Sequence, residues 1–187
     1  MHPELLHLLE ASHHAAAYVL SPCFDILAAN EPAQALLSPF AAAGGVGGSP
    51  DGSGQNLIRI LFTHPQARNY FAQWPSAVAG SLHTLRRNAL RLPDDTGIAD
   101  LVNDLTAESA DFTRAWQDRT WQDRTAVGLD RAYRDVIHPA GGRITLTYRV
   151  LGTAAVPGQR LLLATPAPGS RSAQAFTYLA AMGGPPP

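Results

Sequence analysis

Arg143-Ile144-Thr145-Leu146-Thr147-Tyr148-Arg149-Val150 alternates between polar and apolar residues without a break. A period of two sends Ile144, Leu146, Tyr148 and Val150 to one side of a strand and Arg143, Thr145, Thr147 and Arg149 to the other. One side is thus buried and the other wet, the pattern of an antiparallel sheet packed on a single face. Upstream, Ala140-Gly141-Gly142 can turn into this strand from another over Tyr133 to Ile137. Downstream, the Pro157-Gly158 turn leads to Leu161-Leu162-Leu163-Ala164, a more deeply buried partner.

Toward the N-terminus, Ala17-Tyr18-Val19-Leu20 reads as a strand, Ser21-Pro22 as a turn and Phe24 to Ala29 as a second strand. Asn30 caps a short helix carrying Ala33, Leu36 and Leu37. Residues 3–17 are expected to be helical: Pro3 suits a first turn, Glu4 favours the N-terminal dipole, and Leu5, Leu8 and Leu9 form one apolar stripe. From Asn56 to about Thr125 the period is helical, with Val78, Leu82 and Leu85 on one stripe and Ile98, Leu101 and Leu105 on another. Pro65, Pro75 and Pro93 separate successive helices, and Ser109 caps one more that bears Phe112 and Trp116. A helix over 171–181 closes the chain. The fold class is therefore α+β, an antiparallel sheet of two early and three late strands with a helical block inserted between them.

Composition narrows the chemistry. The chain has 187 residues, 45% of them apolar and 16% charged, enough for one packed core. Formal net charge is −1, and the 14 basic residues are all arginines spread without a run, a poor match to a phosphate backbone. The absence of lysine removes Walker-type phosphate loops, pyridoxal Schiff bases and lysine general bases. The single Cys23 cannot form an internal disulfide, and no signal-peptide pattern precedes it, so a cytoplasmic location is expected. Apolar runs fall far short of the roughly 20 residues that cross a bilayer. Residues 41–54 (AAAGGVGGSPDGSG) carry six glycines and no large side chain; they are expected to be a mobile loop holding no ligand.

The order and spacing of several short motifs resemble one family. They are Ala17-Tyr18-Val19-Leu20, Phe24-Asp25-Ile26-Leu27-Ala28-Ala29-Asn30, Asn56-Leu57-Ile58-Arg59-Ile60-Leu61-Phe62, Trp74, Leu101-Val102 to Leu105, Ser109-x-x-Phe112 with Trp116, His138-Pro139-x-x-Gly142 and Ala167-Pro168-Gly169-Ser170. Together they resemble the MmyB-like ligand-binding domains that follow an Xre-type helix-turn-helix in bacterial regulators. The resemblance implies a PAS-like sheet and a pocket for a small apolar effector such as a fatty acid. It divides the chain into a linker helix at 1–15, a PAS-like domain at 16–182 and a disordered tail at 183–187. DNA would be reached only through a helix-turn-helix that this chain lacks, and no membrane is involved. A homodimer is expected, because such regulators read two half-sites and the stripe on the first helix asks for a partner. One departure is the direct repeat Trp116 to Thr120 (WQDRT) and Trp121 to Thr125 (WQDRT), which leaves open which tryptophan takes the family position.

Phe62, Trp74, Phe112, Trp116 and Tyr148 are the candidates for the walls of an apolar cavity, although each could equally be ordinary core. His138, Arg68 and Arg134 are the candidates for a polar contact at its mouth. His138 beside Pro139 could instead simply fix a strand end through hydrogen bonds. The remaining histidines show no i, i+3 or i, i+4 pair, so no metal and no cofactor is expected. Asp94 and Asp95 read as helix caps rather than as paired catalytic carboxylates. Two other function classes stay open: a small cofactor-free enzyme with His138 as base oriented by Asp135, and a dimerisation module with a filled core.

Overall fold

A computed structural model describes residues 2–41, 55–118, 128–152 and 156–183. The alternating stretch forms β4 (Gly142–Gly152), paired on one side with β3 (Asp135–His138) and on the other with β5 (Arg160–Pro166). The N-terminal hairpin, β1 (Ala16–Leu20) and β2 (Ile26–Ala29), joins through an antiparallel β1–β5 pairing. The sheet order is β2-β1-β5-β4-β3. This is the α+β arrangement with a PAS-like sheet expected from the sequence, and the helical block falls between β2 and β3.

The hairpin is shorter than its sequence suggests. Phe24 adopts φ +73°, a left-handed conformation rare for a bulky residue, and Asp25 bridges to Asn56. The second strand therefore starts at Ile26 and not at Phe24. Gly158 (φ +87°) follows Pro157 in the β4–β5 connection, where a Cβ would lie 2.8 Å from both Leu92 and Pro22. Tyr133 is likewise outside the strand: it ends the short helix α8 (Leu129–Ala132), and β3 begins two residues later.

The first helix, α1 (Pro3–Ala11), also stops earlier than 3–17. Ser12 terminates it, its N–H donating to the Leu9 carbonyl at 3.2 Å and its hydroxyl to that of Leu8 at 2.7 Å, and His13-His14 turn the chain into β1. Leu5 and Leu9 pack on Ala17, Val19 and Leu161, which belong to the outer face of the sheet. Most of the stripe that asked for a partner thus has one within the chain; Leu8 is 37% exposed.

The inner face carries Tyr18, Leu162, Ala164, Ile144, Leu146 and Tyr148 and is covered by helices. α2 (Glu31–Ala41), begun by Asn30 whose Oδ1 accepts from the Ala33 N–H at 3.2 Å, lies over β1. α9 (Arg171–Gly183) packs on α2 and β4. α3 (Leu57–Thr63) is capped by Asn56, whose side chain also donates to the Cys23 carbonyl at 2.7 Å and to Asp25 at 2.9 Å. That residue ties the helical block to the hairpin. α4 (Ala67–Tyr70), α5 (Trp74–Arg91), α6 (Thr96–Glu108) and α7 (Ala110–Gln117) follow, with Pro75 in the first turn of α5 and Asp95 and Ser109 serving as N-caps of α6 and α7. Residues 42–54 of the glycine-rich stretch, the repeat beyond Asp118 and the tail from 184 lie outside the described residues.

Candidate functional site

Four of the five tyrosines converge between the sheet and the helices. Tyr18 comes from β1 and Tyr148 from β4, both on the inward side set by the strand period; Tyr70 ends α4 and Tyr133 ends α8. With Phe71 and leucines of α2 and α3 they line a cavity of about 20 Å³, room for about one water. Cross-strand pairing helps to make the space, because Tyr148 stands opposite Ala164, which itself stands opposite Ala16. Burial raises the phenol pKa of all four, Tyr18 and Tyr70 being pushed up further by the neighbouring Tyr148, and Tyr148 by Tyr133. The space resists negative charge.

Three of these phenols are satisfied. Tyr70 donates to the Leu36 carbonyl at 2.7 Å, Tyr18 to the Ala33 carbonyl at 3.4 Å, and Tyr133 shares a short hydrogen bond with the Ser81 hydroxyl. Tyr148 is 8% exposed, lines the cavity, and has no hydrogen-bond partner for its hydroxyl among the described residues.

His138 sits at the edge of this site as a structural residue. Its Nδ1 accepts from the N–H groups of Ala140 and Gly141 at 3.1 and 3.3 Å, and its Nε2 donates to the Ala35 carbonyl at 3.2 Å, with the Ser38 hydroxyl at 3.4 Å. Both ring nitrogens are committed, which fixes the neutral Nε2–H tautomer; burial lowers its pKa, against a smaller opposing effect of the Ala35 contact. Asp135 accepts from Thr145 at 2.6 Å instead of orienting the ring. The His138–Asp135 pair required by the enzyme reading is not assembled.

The other aromatic candidates meet elsewhere. Phe62 packs edge-on against Trp74 and Phe112, with ring centroids 5.9 and 5.1 Å apart, and Phe112 stacks on Trp116 at 5.7 Å. None of the four lines the cavity with Tyr148. They join α3, α5 and α7, and Trp116 also lines an open groove of about 280 Å³ along α5 and α6. Arg86, which no sequence pattern marks, is buried against α7. Its guanidinium donates to the carbonyls of Ala115 and Trp116 at 2.8 Å each and lies 4.9 Å over the Trp116 ring. The arginines proposed for the cavity mouth are not at it: Arg68 pairs with Asp111 and lies 4.1 Å over Trp74, and Arg134 is exposed.

Among the described residues no group of three His, Cys, Asp or Glu side chains is placed to hold a metal ion. No helix among them is long and apolar enough to cross a membrane. Comparison with known families finds a match to the MmyB-like transcription regulator ligand binding domain over residues 1–179. The chain belongs to this family. It is thus a ligand-binding domain of a transcription regulator family, and the tyrosine-lined cavity lies between its sheet and its helices. No curated protein matches the sequence.

Of the cavity residues, Tyr148 alone was singled out by the sequence. Tyr18 was visible as the residue that shares a face with Ala16 and Leu20, but Tyr70-Phe71 and Tyr133 lie at helix ends where no period marks the inward side.

Proposed function

We propose that the domain is the sensing part of a bacterial transcription regulator acting in the cytoplasm, binding a small, largely apolar molecule such as a fatty acid between its sheet and its helices. The observation that carries this reading is the tyrosine-lined cavity between sheet and helices, in which the Tyr148 hydroxyl has no hydrogen-bond partner among the described residues. A phenol that lines a largely apolar cavity and has no protein partner there is free to donate to a molecule that enters it. The family supplies the context of a regulator. Each CH₂ removed from water contributes about 0.8 kcal/mol, so an acyl chain gains affinity from the apolar lining alone.

A cavity of about 20 Å³ does not hold such a chain unaltered. Binding therefore displaces Leu36 and Leu37 of α2 or Leu57 of α3 from the sheet, and this displacement is the signal that an attached DNA-reading domain receives. The small volume also favours the competing reading, a filled-core dimerisation module. In this reading the domain works as a homodimer, because a regulator of this kind reads two half-sites. Native mass spectrometry of freshly purified protein, beside a denatured sample, tests the assignment. The sensor reading expects an added small-molecule mass in the native spectrum, lost on denaturation and restored by adding a medium-chain fatty acid or ester. A bare protein mass that no added apolar compound changes would favour the filled core.

A further inference from the structure

We infer that the molecule taken by the tyrosine-lined cavity is uncharged at its polar end and presents an acceptor oxygen, as an ester, ketone or lactone does, to the Tyr148 hydroxyl. The inference rests on reading this cavity as the ligand site and adds the chemistry of the ligand's head.

Among the described residues the lining holds no arginine, histidine or carboxylate. Its polar groups are four phenols, and three already donate to Ala33, Leu36 or share a bond with Ser81. A phenol is a donor at neutral pH, so the remaining one calls for an acceptor. An ionised carboxylate would accept as well, but it would have to leave water with no cation among the described lining residues to meet it. Arg68 is held by Asp111 and Trp74, Arg134 is exposed, and Arg160 donates to Asn88 at 2.8 Å.

Among the described residues, the titratable groups lining the space are Tyr18 from β1, Tyr70 from α4, Tyr133 from the end of α8 and Tyr148 from β4. Behind Tyr70 lies His138 of β3, ring centroids 6.2 Å apart, neutral and with both nitrogens engaged. α2, α3 and β5 present Leu36, Leu37, Leu57 and Leu162, which carry no charge. Burial disfavours ionisation of all four phenols, which is the same resistance an anionic ligand would meet. A fatty acid that binds here binds in its protonated form.

The test compares octanoic acid with methyl octanoate by equilibrium dialysis against the whole chain, at about pH 6.5 and about pH 8.5. Carboxyl groups titrate near about pH 4 to 5, so each further pH unit lowers the neutral fraction of the acid about tenfold. The expected result is an ester affinity unchanged within about twofold and an acid affinity that falls about a hundredfold between the two pH values. Tyr148→Phe, checked for an unchanged melting temperature, is expected to weaken the ester about five- to tenfold. Acid binding at the higher pH as tight as the ester would overturn the neutral-head inference while leaving the cavity as the site. Ester binding unaffected by Tyr148→Phe would remove Tyr148 from it. If neither compound binds at either pH, the cavity reading falls, and this inference with it.

Discussion

Two buried tyrosines with the same chemistry differ in what they do for the fold. Tyr70 donates to a carbonyl of α2, so Tyr70→Phe is expected to cost about 1 kcal/mol in urea unfolding. Tyr148 donates to nothing among the described residues, so Tyr148→Phe should change stability by less than about 0.5 kcal/mol. His138 offers a second check. Its pKa in the folded protein lies below the ordinary value of 6.5 because it is buried. The unfolded chain therefore binds the proton more readily, and the stability linked to the neutral ring is complete above about pH 6.5 and lost progressively as pH falls from there through the lower folded-state pKa. His64 and His83 shift in the same direction, also through burial. Melting temperature should drop between about pH 6.5 and 5, and less steeply in His138→Gln; equal slopes would mean that His138 is not held neutral. At this scale the sequence spoke through chemistry: a histidine beside proline at a strand end was readable as a fastening. What it did not contain was partners. Arg68 is engaged by Asp111, 43 positions away, a pairing that no local pattern in the sequence signals.

Elements with a clean period were readable, and those defined by a local stop were not. The alternation of 143–150 located β4 to within two residues at either end, and Ser109 and Asp95 announced the helices they cap. α1 was overextended because His13 to Ala17 is compatible with a helix, while the actual stop depends on Ser12 and on β1 pairing with β5. β2 was overextended because nothing in its residue types foretells the left-handed Phe24. Docking of α1 on the outer sheet face yields a paired prediction. Leu9→Ala should destabilise by about 2–4 kcal/mol, and Leu8→Ala, 37% exposed, by no more than about 0.5. Equal effects would indicate a helix that does not pack on its own sheet. Asn56→Ala removes an N-cap together with two ties to the hairpin and should cost about 2 kcal/mol in the same assay.

For the whole molecule, the sequence was right about the layers and silent about where they part. Strand count, sheet type and the inserted helical block all followed from periodicity, because burying one face of a sheet demands a helical cover. Which aromatic residues make that cover depends on how helices cross. The crossings send Phe62, Trp74, Phe112 and Trp116 to one another and Tyr70, Phe71 and Tyr133 to the sheet. The central claim is that the ligand sits among the tyrosines. Ring-labelled tyrosine NMR during titration with methyl octanoate addresses it directly, because Tyr178 on α9 is 54% exposed and serves as an internal reference. Resonances of Tyr18, Tyr70, Tyr133 and Tyr148 should shift together and saturate while Tyr178 stays in place. Saturating binding that leaves those four unmoved would contradict the account.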